Sequence, residues 1–235
     1  MIKKRYKKVI LVTGSSKGIG NSIANHFLKS SDNLAIGCSR SNTLKRNKNY
    51  IHVQVDLSKN EGVNDLSLYI RNEIKTLNVL INNAGVASMN HLLLTTEKKI
   101  DQIIDLNVKA VINLTREAAK LMKKDKDGRI INITSVASPL YLEGESVYVA
   151  SKAAIESFTK VIAKELYTFG ITVNAIGPGP VKTNLIKNIP KEKIDKILSE
   201  LSCKQLTTVP DILNIIDFFL KKESKLINGQ IIYLG

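Results

Sequence analysis

The sequence predicts a single α/β domain, built as a doubly wound parallel sheet of about seven strands with helices on both faces. Short β-branched runs alternate with amphipathic stretches along the whole chain, which is the pattern of repeated βαβ units. A glycine-rich turn follows the first of these runs. No change in composition and no low-complexity linker divides the chain. Residues 1–235 are therefore expected to form one domain.

The strands are predicted from short apolar runs that are bounded by turn residues. Residues 8–13 (KVILVT) have the continuous apolar character of a strand that is buried on both faces. The other predicted strands cover residues 34–38, 51–55, 79–82, 129–134, 171–176 and 230–234. Strands that alternate with helices at this spacing favour a parallel sheet with right-handed crossovers.

Helices are predicted where apolar residues recur at a spacing of three or four. These stretches cover residues 19–29, 63–74, 97–123, 147–167 and 211–221. Residues 180–202 are polar, lysine-rich and weakly helical. In an open α/β sheet this segment lies at the carboxyl ends of the strands, where it is expected to be a mobile substrate lid. An ordinary surface excursion is the alternative.

The composition excludes several classes of protein. With 43% hydrophobic residues the chain can bury a full core, but no apolar run is long enough to span a membrane. The two cysteines form no disulfide framework, and the three scattered histidines lack the spacing of metal ligands. The basic residues 1–5 precede an apolar run too short for a signal peptide. We expect a cytoplasmic protein without a metal site.

The net charge of +14 raises the alternative of nucleic-acid binding. The lysines, however, are spread along the whole chain and tend to lie on the polar sides of helices. Tryptophan is absent and aromatic residues make up only 5%, so platforms for base stacking are poorly supported. A solvated basic surface is therefore favoured, and neither a nucleic acid nor a membrane is expected as a partner.

The glycine turn lies between the first predicted strand and the first helix. It reads Thr13, Gly14, Ser15, Ser16, Lys17, Gly18, Ile19 and Gly20. Glycines let the backbone turn tightly and approach a pyrophosphate, and the helix N-terminus supplies free N–H groups. The spacing Gly-x-x-x-Gly-x-Gly is not that of a Walker loop. Strand, turn and helix in this order predict a Rossmann-type dinucleotide site, and a turn without a ligand is the alternative.

The end of the second strand indicates which dinucleotide binds. A carboxylate there would bind the 2′-hydroxyl of NAD, whereas a cation accommodates a 2′-phosphate. This strand ends in Arg40 without a carboxylate, and Lys17 adds a second cation at the same corner. Both observations predict NADP(H), and two unrelated surface cations are the alternative.

Tyr148 and Lys152 lie one helical turn apart, thirteen residues after Ser135. Residues at positions i and i+4 of a helix share one face. A lysine ammonium beside a tyrosine hydroxyl favours the phenolate, so the pKa of Tyr148 is expected to fall below its ordinary value of about 10. Such a tyrosine could donate and accept a proton near neutral pH. By chance, such pairs also occur on solvated helix surfaces.

Taken together, these motifs resemble the short-chain dehydrogenase/reductase family. The resemblance covers residues 8–233, and its elements occur in the family's order and spacing. They are the turn from Thr13 to Gly20, Asp56-Leu57, Asn82-Asn83-Ala84-Gly85, Asn107, Ser135, Tyr148-x-x-x-Lys152 and Pro178-Gly179 with Thr183.

The resemblance implies four catalytic residues. Tyr148 is the general acid in the reduction of a carbonyl, and Ser135 donates a hydrogen bond to the substrate oxygen. Lys152 binds the nicotinamide ribose and keeps the pKa of Tyr148 low. Asn107 positions a water that links Lys152 to solvent. From the sequence alone, Asn107 could also simply cap or kink its long helix.

The resemblance also implies the cofactor contacts. Asp56 bonds the adenine amino group, Asn83 and Gly85 lie along the adenosine ribose, and Thr183 bonds the nicotinamide carboxamide. The whole set expected to bind NADP(H) is Thr13, Gly14, Ser15, Ser16, Lys17, Gly18, Ile19, Gly20, Arg40, Asp56, Leu57, Asn83, Ala84, Gly85, Tyr148, Lys152, Pro178, Gly179, Val181 and Thr183. Asp56 as a helix cap and Asn82-Asn83 as a plain turn remain alternatives.

Within the family, the chain is most similar to the 3-oxoacyl-acyl-carrier-protein reductases and the related acetoacetyl-CoA reductases. The resemblance implies reduction of a 3-oxoacyl thioester, with a small-molecule or carrier-linked acyl group as substrate. Phe169 stands where those reductases often have a carrier-docking arginine, and residues 203–207 depart from their pattern. Another small ketone, a sugar or a secondary-metabolism intermediate is the alternative substrate, and a non-catalytic dinucleotide-binding protein is the alternative function.

Relatives form tetramers through the helices that carry Asn107 and Tyr148. A homotetramer is therefore expected, with a dimer as the second choice. The second of these helices has an apolar stripe of Ile155, Phe158, Ile162 and Leu166. The same stripe would also serve for burial against the sheet.

Overall fold

A computed structural model describes residues 6–43, 47–183 and 190–235 of the chain. The described residues contain one sheet of seven parallel strands in the order β3-β2-β1-β4-β5-β6-β7. The strands are β1 (Lys8–Thr13), β2 (Asn33–Ser39), β3 (Tyr50–Gln54), β4 (Val79–Asn82), β5 (Gly128–Ile133), β6 (Ile171–Pro178) and β7 (Ile231–Leu234). The predicted α/β class and the predicted strand count are confirmed.

Eight α-helices connect or follow these strands within the described ranges. They are α1 (Gly18–Phe27), α2 (Asn60–Tyr69), α3 (Glu97–Ile104), α4 (Ala110–Met122), α5 (Ala137–Leu140), α6 (Ser146–Tyr167), α7 (Lys191–Glu200) and α8 (Val209–Leu220). Single π-helical turns follow α2 (Ile70–Ile74) and α3 (Asp105–Lys109), and short 3₁₀ turns cover Leu92–Leu94 and Lys222–Leu226. In the part of the chain that the structure describes, no helix is long and apolar enough to cross a membrane.

Each face of the sheet carries its own hydrophobic core. Val9 and Leu11 of β1 pack on one side with α2, α4 and α6. Ile10 and Val12, which alternate with them, pack on the other side with α1 and α8. All four side chains are almost completely buried. Because successive strand residues point to opposite faces, a continuous apolar run is what a strand with helices on both sides requires.

The predicted helix over residues 97–123 is not continuous. A π-helical turn at Asp105–Lys109 separates α3 from α4. Asn107 lies in this turn and is buried, and its side-chain amide bonds the backbone of Val86 instead of pointing into solvent. A π-helical turn adds a residue to one helical turn and often occurs at a functional site. The apolar periodicity of the sequence continues through the turn and therefore does not reveal it.

The apolar stripe of α6 contributes mainly to the core. Ile155 and Ile162 are buried, and Phe158 and Leu166 are partly buried against the core. Burial against the sheet, one of the two roles that the sequence allows for this stripe, is therefore confirmed. The exposed large apolar side chains on α4 and α6 are Ile112, Val161 and Tyr167.

Candidate active site

The main cavity opens at the carboxyl ends of the strands and spans the β1–β4 boundary, where the order of the sheet reverses. Ligands of open α/β sheets bind at such switch points. The volume of the cavity is about 660 Å³, which is in the range of cofactor and substrate sites. Eighteen predicted site residues line it: Gly14, Ser16, Lys17, Gly18, Ile19, Arg40, Asp56, Leu57, Asn83, Ala84, Gly85, Ser135, Tyr148, Lys152, Pro178, Gly179, Val181 and Thr183.

The other four predicted residues, Thr13, Ser15, Gly20 and Asn107, lie behind the cavity wall and support it. Gly20 packs so closely against Gly14 and the amide of Asn83 that a Cβ atom at position 20 would collide with both. This close approach holds the start of α1 against the end of β4. Gly20 therefore shapes the turn and does not line the cavity.

The backbone of the glycine turn has the conformation that its sequence predicts. Gly14 and Gly18 have φ values of 67° and 58°, in the left-handed region that favours glycine. The backbone N–H groups of Gly14 and Ser15 both donate to the carbonyl oxygen of Cys38 in β2. The turn leads directly into α1, whose first residue is Gly18. The cavity thus meets the N-terminal end of a helix, where an anion is stabilised.

Thr13 joins this turn to the end of β4. Its hydroxyl oxygen accepts hydrogen bonds from the backbone N–H groups of Asn83 and Ala84, both at 2.9 Å. The side-chain amide of Asn83 donates back to the carbonyl oxygen of Thr13 at 2.8 Å. These reciprocal bonds fix Asn83, Ala84 and Gly85 against the glycine turn, so the segment is more than a plain turn.

Asp56 makes local bonds of its own. Its carboxylate accepts hydrogen bonds from the backbone N–H and the hydroxyl of Ser58, at 3.0 and 2.8 Å. Burial acts to raise the pKa of Asp56, but the Ser58 bonds and the nearby charge of Arg40 together lower it. The carboxylate braces the loop before α2 and lines the cavity, but it does not cap that helix, whose N-cap residue is Lys59.

A chain of buried and half-buried polar groups runs beneath the nucleotide end of the cavity, and the sequence did not reveal it. The hydroxyl of Ser15 bonds the phenol of Tyr50 at 3.1 Å, and Tyr50 bonds Nδ1 of His52 at 3.0 Å. Nε2 of His52 lies 3.1 Å from the hydroxyl of Ser39 and 3.0 Å from the carbonyl oxygen of Ser41. The chain links the glycine turn to the segment that carries Arg40.

The opposite end of the cavity holds the predicted catalytic residues. Tyr148 lies in the first turn of α6, and the side chain of Ser135, which follows β5, lies close enough to its phenol to lower the pKa of that group. Lys152 is buried, and its ammonium donates to the carbonyl oxygen of Ile133 at 2.8 Å. Its Nζ lies 5.6 Å from the centre of the Tyr148 ring. The structure therefore brings Ser135, Tyr148 and Lys152 together.

The expected lowering of the Tyr148 pKa is wrong for this arrangement. Burial, together with the charge of Glu145, raises the pKa of Tyr148 to about 12, although the nearby side chain of Ser135 acts in the opposite direction. Burial also lowers the pKa of Lys152 to about 8, with the charge of Glu156 partly opposing this shift. Because burial destabilises the charged form of Lys152, its ammonium stabilises a Tyr148 phenolate less than the i, i+4 spacing predicts. Tyr148 consequently keeps its proton at neutral pH.

Asn107 lies beside this group through its π-helical turn. Its amide nitrogen donates to the carbonyl oxygen of Val86 at 2.9 Å and to the hydroxyl of Ser151 at 3.1 Å. A Cβ atom at Gly85 would lie 3.3 Å from Oδ1 of Asn107 and 3.6 Å from Nζ of Lys152. Those two polar atoms therefore border the same small space, and only a glycine leaves it open.

Three further residues contribute to the site and belong to no sequence motif. Thr207 donates to the carbonyl oxygen of Leu234 and accepts from the backbone N–H of Gly179, both at 3.0 Å, and so fixes the segment after β6. Ile194 and Ile197 of α7 line the cavity, so this part of the predicted lid does border it. Residues 184–189 of the predicted lid lie outside the described residues. The sequence predicts Ile194 and Ile197 only as part of a lid, and no motif marks Thr207.

The described residues contain no cluster of histidine, cysteine, aspartate and glutamate that could hold a metal ion. The geometry instead offers a glycine-lined cradle at one end and a tyrosine hydroxyl, a serine hydroxyl and a buried lysine at the other. A dinucleotide fits the cradle, because free helix N–H groups and the cations Lys17 and Arg40 lie there. The tyrosine end can deliver a proton to an oxygen of a bound substrate.

Comparison with known proteins agrees with this arrangement. The family described as short chain dehydrogenase matches residues 8–194. The 3-oxoacyl-[acyl-carrier-protein] reductase FabG of Staphylococcus epidermidis is 30% identical over 97% of both chains. The protein of the same name from Rickettsia bellii is 34% identical, over 96% of this chain and 94% of its own. A solved structure of 4-hydroxyisoleucine dehydrogenase complexed with NADH is 28% identical and covers 97% of each chain with a TM-score of 0.90.

Proposed function

The chain belongs to the short-chain dehydrogenase family and is an oxidoreductase, and we propose that it uses NADPH to reduce a ketone to a secondary alcohol. We further propose that the ketone belongs to a 3-oxoacyl thioester. The observation that carries the proposal is the group of Ser135, Tyr148 and Lys152 in the same cavity as the glycine turn.

When bound, the nicotinamide cofactor supplies the hydride, and the protein's own residues supply position and a proton. Ser135 and Tyr148 both line the cavity, where their hydroxyl groups can bond one substrate oxygen. Because the pKa of Tyr148 is about 12, its phenol carries a proton at neutral pH and can donate it to that oxygen. This protonation state suits the reductive direction.

Lys152 and Asn107 serve to replace the proton that Tyr148 gives up. The Lys152 ammonium holds the carbonyl oxygen of Ile133, and its lowered pKa of about 8 means that it releases a proton easily. We propose that a water molecule held near Gly85, where Asn107 and Lys152 approach each other, is the next carrier. The proton path runs from solvent through this water to Lys152 and then to Tyr148.

The preference for NADPH rests on charge at the corner between β2 and the glycine turn. Arg40 and Lys17 line the cavity there, and no carboxylate ends β2. A guanidinium at this position favours a 2′-phosphate. The structure of 4-hydroxyisoleucine dehydrogenase contains NADH, so a preference for NADH is the competing outcome.

The choice of a 3-oxoacyl thioester rests on the curated relatives, which are named for reduction of 3-oxoacyl groups on an acyl carrier protein. The net charge of +14 suits an acidic carrier protein or the phosphates of CoA. A small hydroxy or oxo acid is the second candidate, because 4-hydroxyisoleucine dehydrogenase has a closely similar fold. We further propose a cytoplasmic, single-domain homotetramer, in which residues 180–202 cover the substrate.

A spectrophotometric assay of NADPH oxidation with acetoacetyl-CoA tests the function. NADH is run in parallel, and so are 3-oxo acids without a thioester. Tyr148→Phe removes the proton donor and little volume, whereas Tyr167→Phe makes the same change on the exposed end of α6. The proposal predicts turnover with NADPH in the wild type and in Tyr167→Phe but not in Tyr148→Phe, which still binds NADPH. Turnover of the free acids alone would instead support the second candidate.

A further inference from the structure

Glu145 is a buried residue that lines the main cavity. Glu145 as a whole is only 6% exposed to solvent. Its backbone N–H and C=O bond Leu142 and Val149. Among the described residues, none forms a hydrogen bond or an ion pair with its carboxyl oxygens. Buried carboxyl groups are normally paired, so a group that faces a ligand cavity without a partner is suited to bind the ligand.

Glu145 lines the same cavity as the catalytic residues. It is the residue before α6, three positions before Tyr148, and both side chains line the main cavity. Residues three apart at the start of a helix are neighbours on one face. The side chains of Leu142, Ile194 and Ile197 line the cavity as well and are apolar. A polar group of the substrate in this region therefore has Glu145 as a strong partner.

The protonation state of Glu145 decides what it can bind. Burial raises its pKa to about 7, although the charge of Lys193 on α7 lowers it in part. Tyr148 on α6 is the other titratable group coupled to it, and the charge of Glu145 raises the pKa of that phenol. Near neutral pH a large fraction of Glu145 carries a proton, and a protonated carboxyl group can donate a hydrogen bond.

We propose that Glu145, as a carboxylic acid, donates a hydrogen bond to the thioester carbonyl oxygen of the substrate and so selects 3-oxoacyl thioesters over simple ketones. This inference rests on the proposed function. A 3-oxoacyl thioester has its second carbonyl group one methylene away from the ketone. With the ketone oxygen held by Ser135 and Tyr148, that second oxygen can be directed at Glu145, which lines the same cavity. A ketone without it leaves the buried acid unpaired, which penalises binding.

The test compares two substrates that differ only in the second carbonyl. One is an acetoacetyl thioester, and the other is the matching thioether, in which a methylene replaces the thioester carbonyl. Wild type, Glu145→Gln, Glu145→Ala and the control Glu143→Gln are measured with NADPH across neutral pH. Glu143 is exposed and two residues away, so its substitution makes the same chemical change outside the cavity.

The inference predicts that Glu145→Ala lowers kcat/KM for the thioester by about 10- to 100-fold, mainly through KM, and leaves the thioether little changed. In the wild type, KM for the thioester rises as pH passes about 7, because Glu145 loses the proton that it donates. Glu145→Gln keeps a donor, so it retains the selectivity and removes this pH dependence. NADPH binding and thermal unfolding, measured on each variant, show whether the variant is folded.

Three results would overturn the inference. If all variants reduce the thioester like Glu143→Gln, Glu145 does not select the substrate, although the proposed function stands. If wild-type activity on the thioester rises with pH and Glu145→Gln loses it, the carboxylate form binds a donor on the substrate instead. If folded wild type reduces the thioether or another ketone but never the thioester, the proposed function and the inference fail together.

Discussion

The hydroxyl of Thr13 holds the end of β4 beside the glycine turn, and Thr13→Val removes it with almost no change in shape. Thr13 is 2% exposed, and its oxygen accepts the backbone N–H groups of Asn83 and Ala84. Valine offers a methyl group in place of that acceptor. The substitution therefore leaves two backbone donors facing an apolar group.

The size of the effect follows from these two donors. Each buried donor left without a partner costs about 1–3 kcal/mol. Asn83 and Ala84 are only partly buried, so the lower half of that range applies to each. Thr13→Val should thus lower the free energy of unfolding by about 2–4 kcal/mol. Thr13→Ser keeps the oxygen and loses one methyl group, and should lower it by about 1 kcal/mol.

Urea unfolding followed by circular dichroism measures both variants, and NADPH titration reports on the cavity. We expect Thr13→Val to be the less stable variant and to bind NADPH more weakly than Thr13→Ser, because Asn83, Ala84 and Gly85 line the cavity. If the two variants unfold within about 0.5 kcal/mol of each other, the hydroxyl does not support the turn, and the reasoning is refuted.

Three further predictions concern the cofactor end and Glu145. Gly37→Ala places a Cβ atom against the phenol of Tyr50 and the hydroxyl of Ser15, so it should destabilise the protein by about 1–3 kcal/mol in urea unfolding; wild-type stability would contradict the Ser15–Tyr50 contact. Arg40→Asp should weaken NADPH binding about 10- to 100-fold more than NADH binding in fluorescence titrations, and equal losses would contradict the assignment of NADP(H). Burial raises the pKa of Glu145 from 4.5 to about 7 on folding, because the folded protein disfavours the carboxylate. The free energy of unfolding is therefore highest below about pH 4.5, where the group is protonated in both states, and falls as the pH rises through 7. Wild type should therefore lose up to about 3 kcal/mol relative to Glu145→Gln between pH 5 and pH 8, and parallel pH–stability curves would show that the carboxyl is not shifted.

The strands could be predicted because their physical requirement is local. A strand with helices on both faces needs an unbroken apolar run, and Val9 to Val12 meet this need with side chains alternating between the two cores. The cavity residues could be predicted for a related reason. In a parallel sheet, the residues that follow each strand collect at one edge, so Gly14, Asn83 and Ser135 converge there.

Contacts between segments that are distant in the sequence could not be predicted. Tyr50 bonds Ser15 and His52 bonds Ser39 across neighbouring strands. The local sequence around Tyr50 and His52 does not predict these partners. The π-helical turn around Asn107 has the same explanation, because Val86 stabilises it from another loop. Such partners depend on the assembled fold.

The pKa of Tyr148 shows how burial can reverse an argument from spacing. The i, i+4 arrangement predicts that Lys152 lies nearby, and it does. Spacing carries no information about desolvation. Burial raises the pKa of Tyr148 and lowers the pKa of Lys152, and both shifts favour the uncharged side chain. The outcome is a protonated acid, which reduction of a ketone requires.

The most direct test of the proposed function is the rate of NADPH oxidation with an acetoacetyl thioester, compared between wild type and Tyr148→Phe. The account predicts turnover by wild type, a loss of about 10²-fold or more in Tyr148→Phe, and unchanged NADPH affinity in the variant. Equal rates in the two proteins would contradict the assignment of Tyr148 as the proton donor. Absence of wild-type turnover on the thioester, with NADPH still bound, would contradict the proposed substrate.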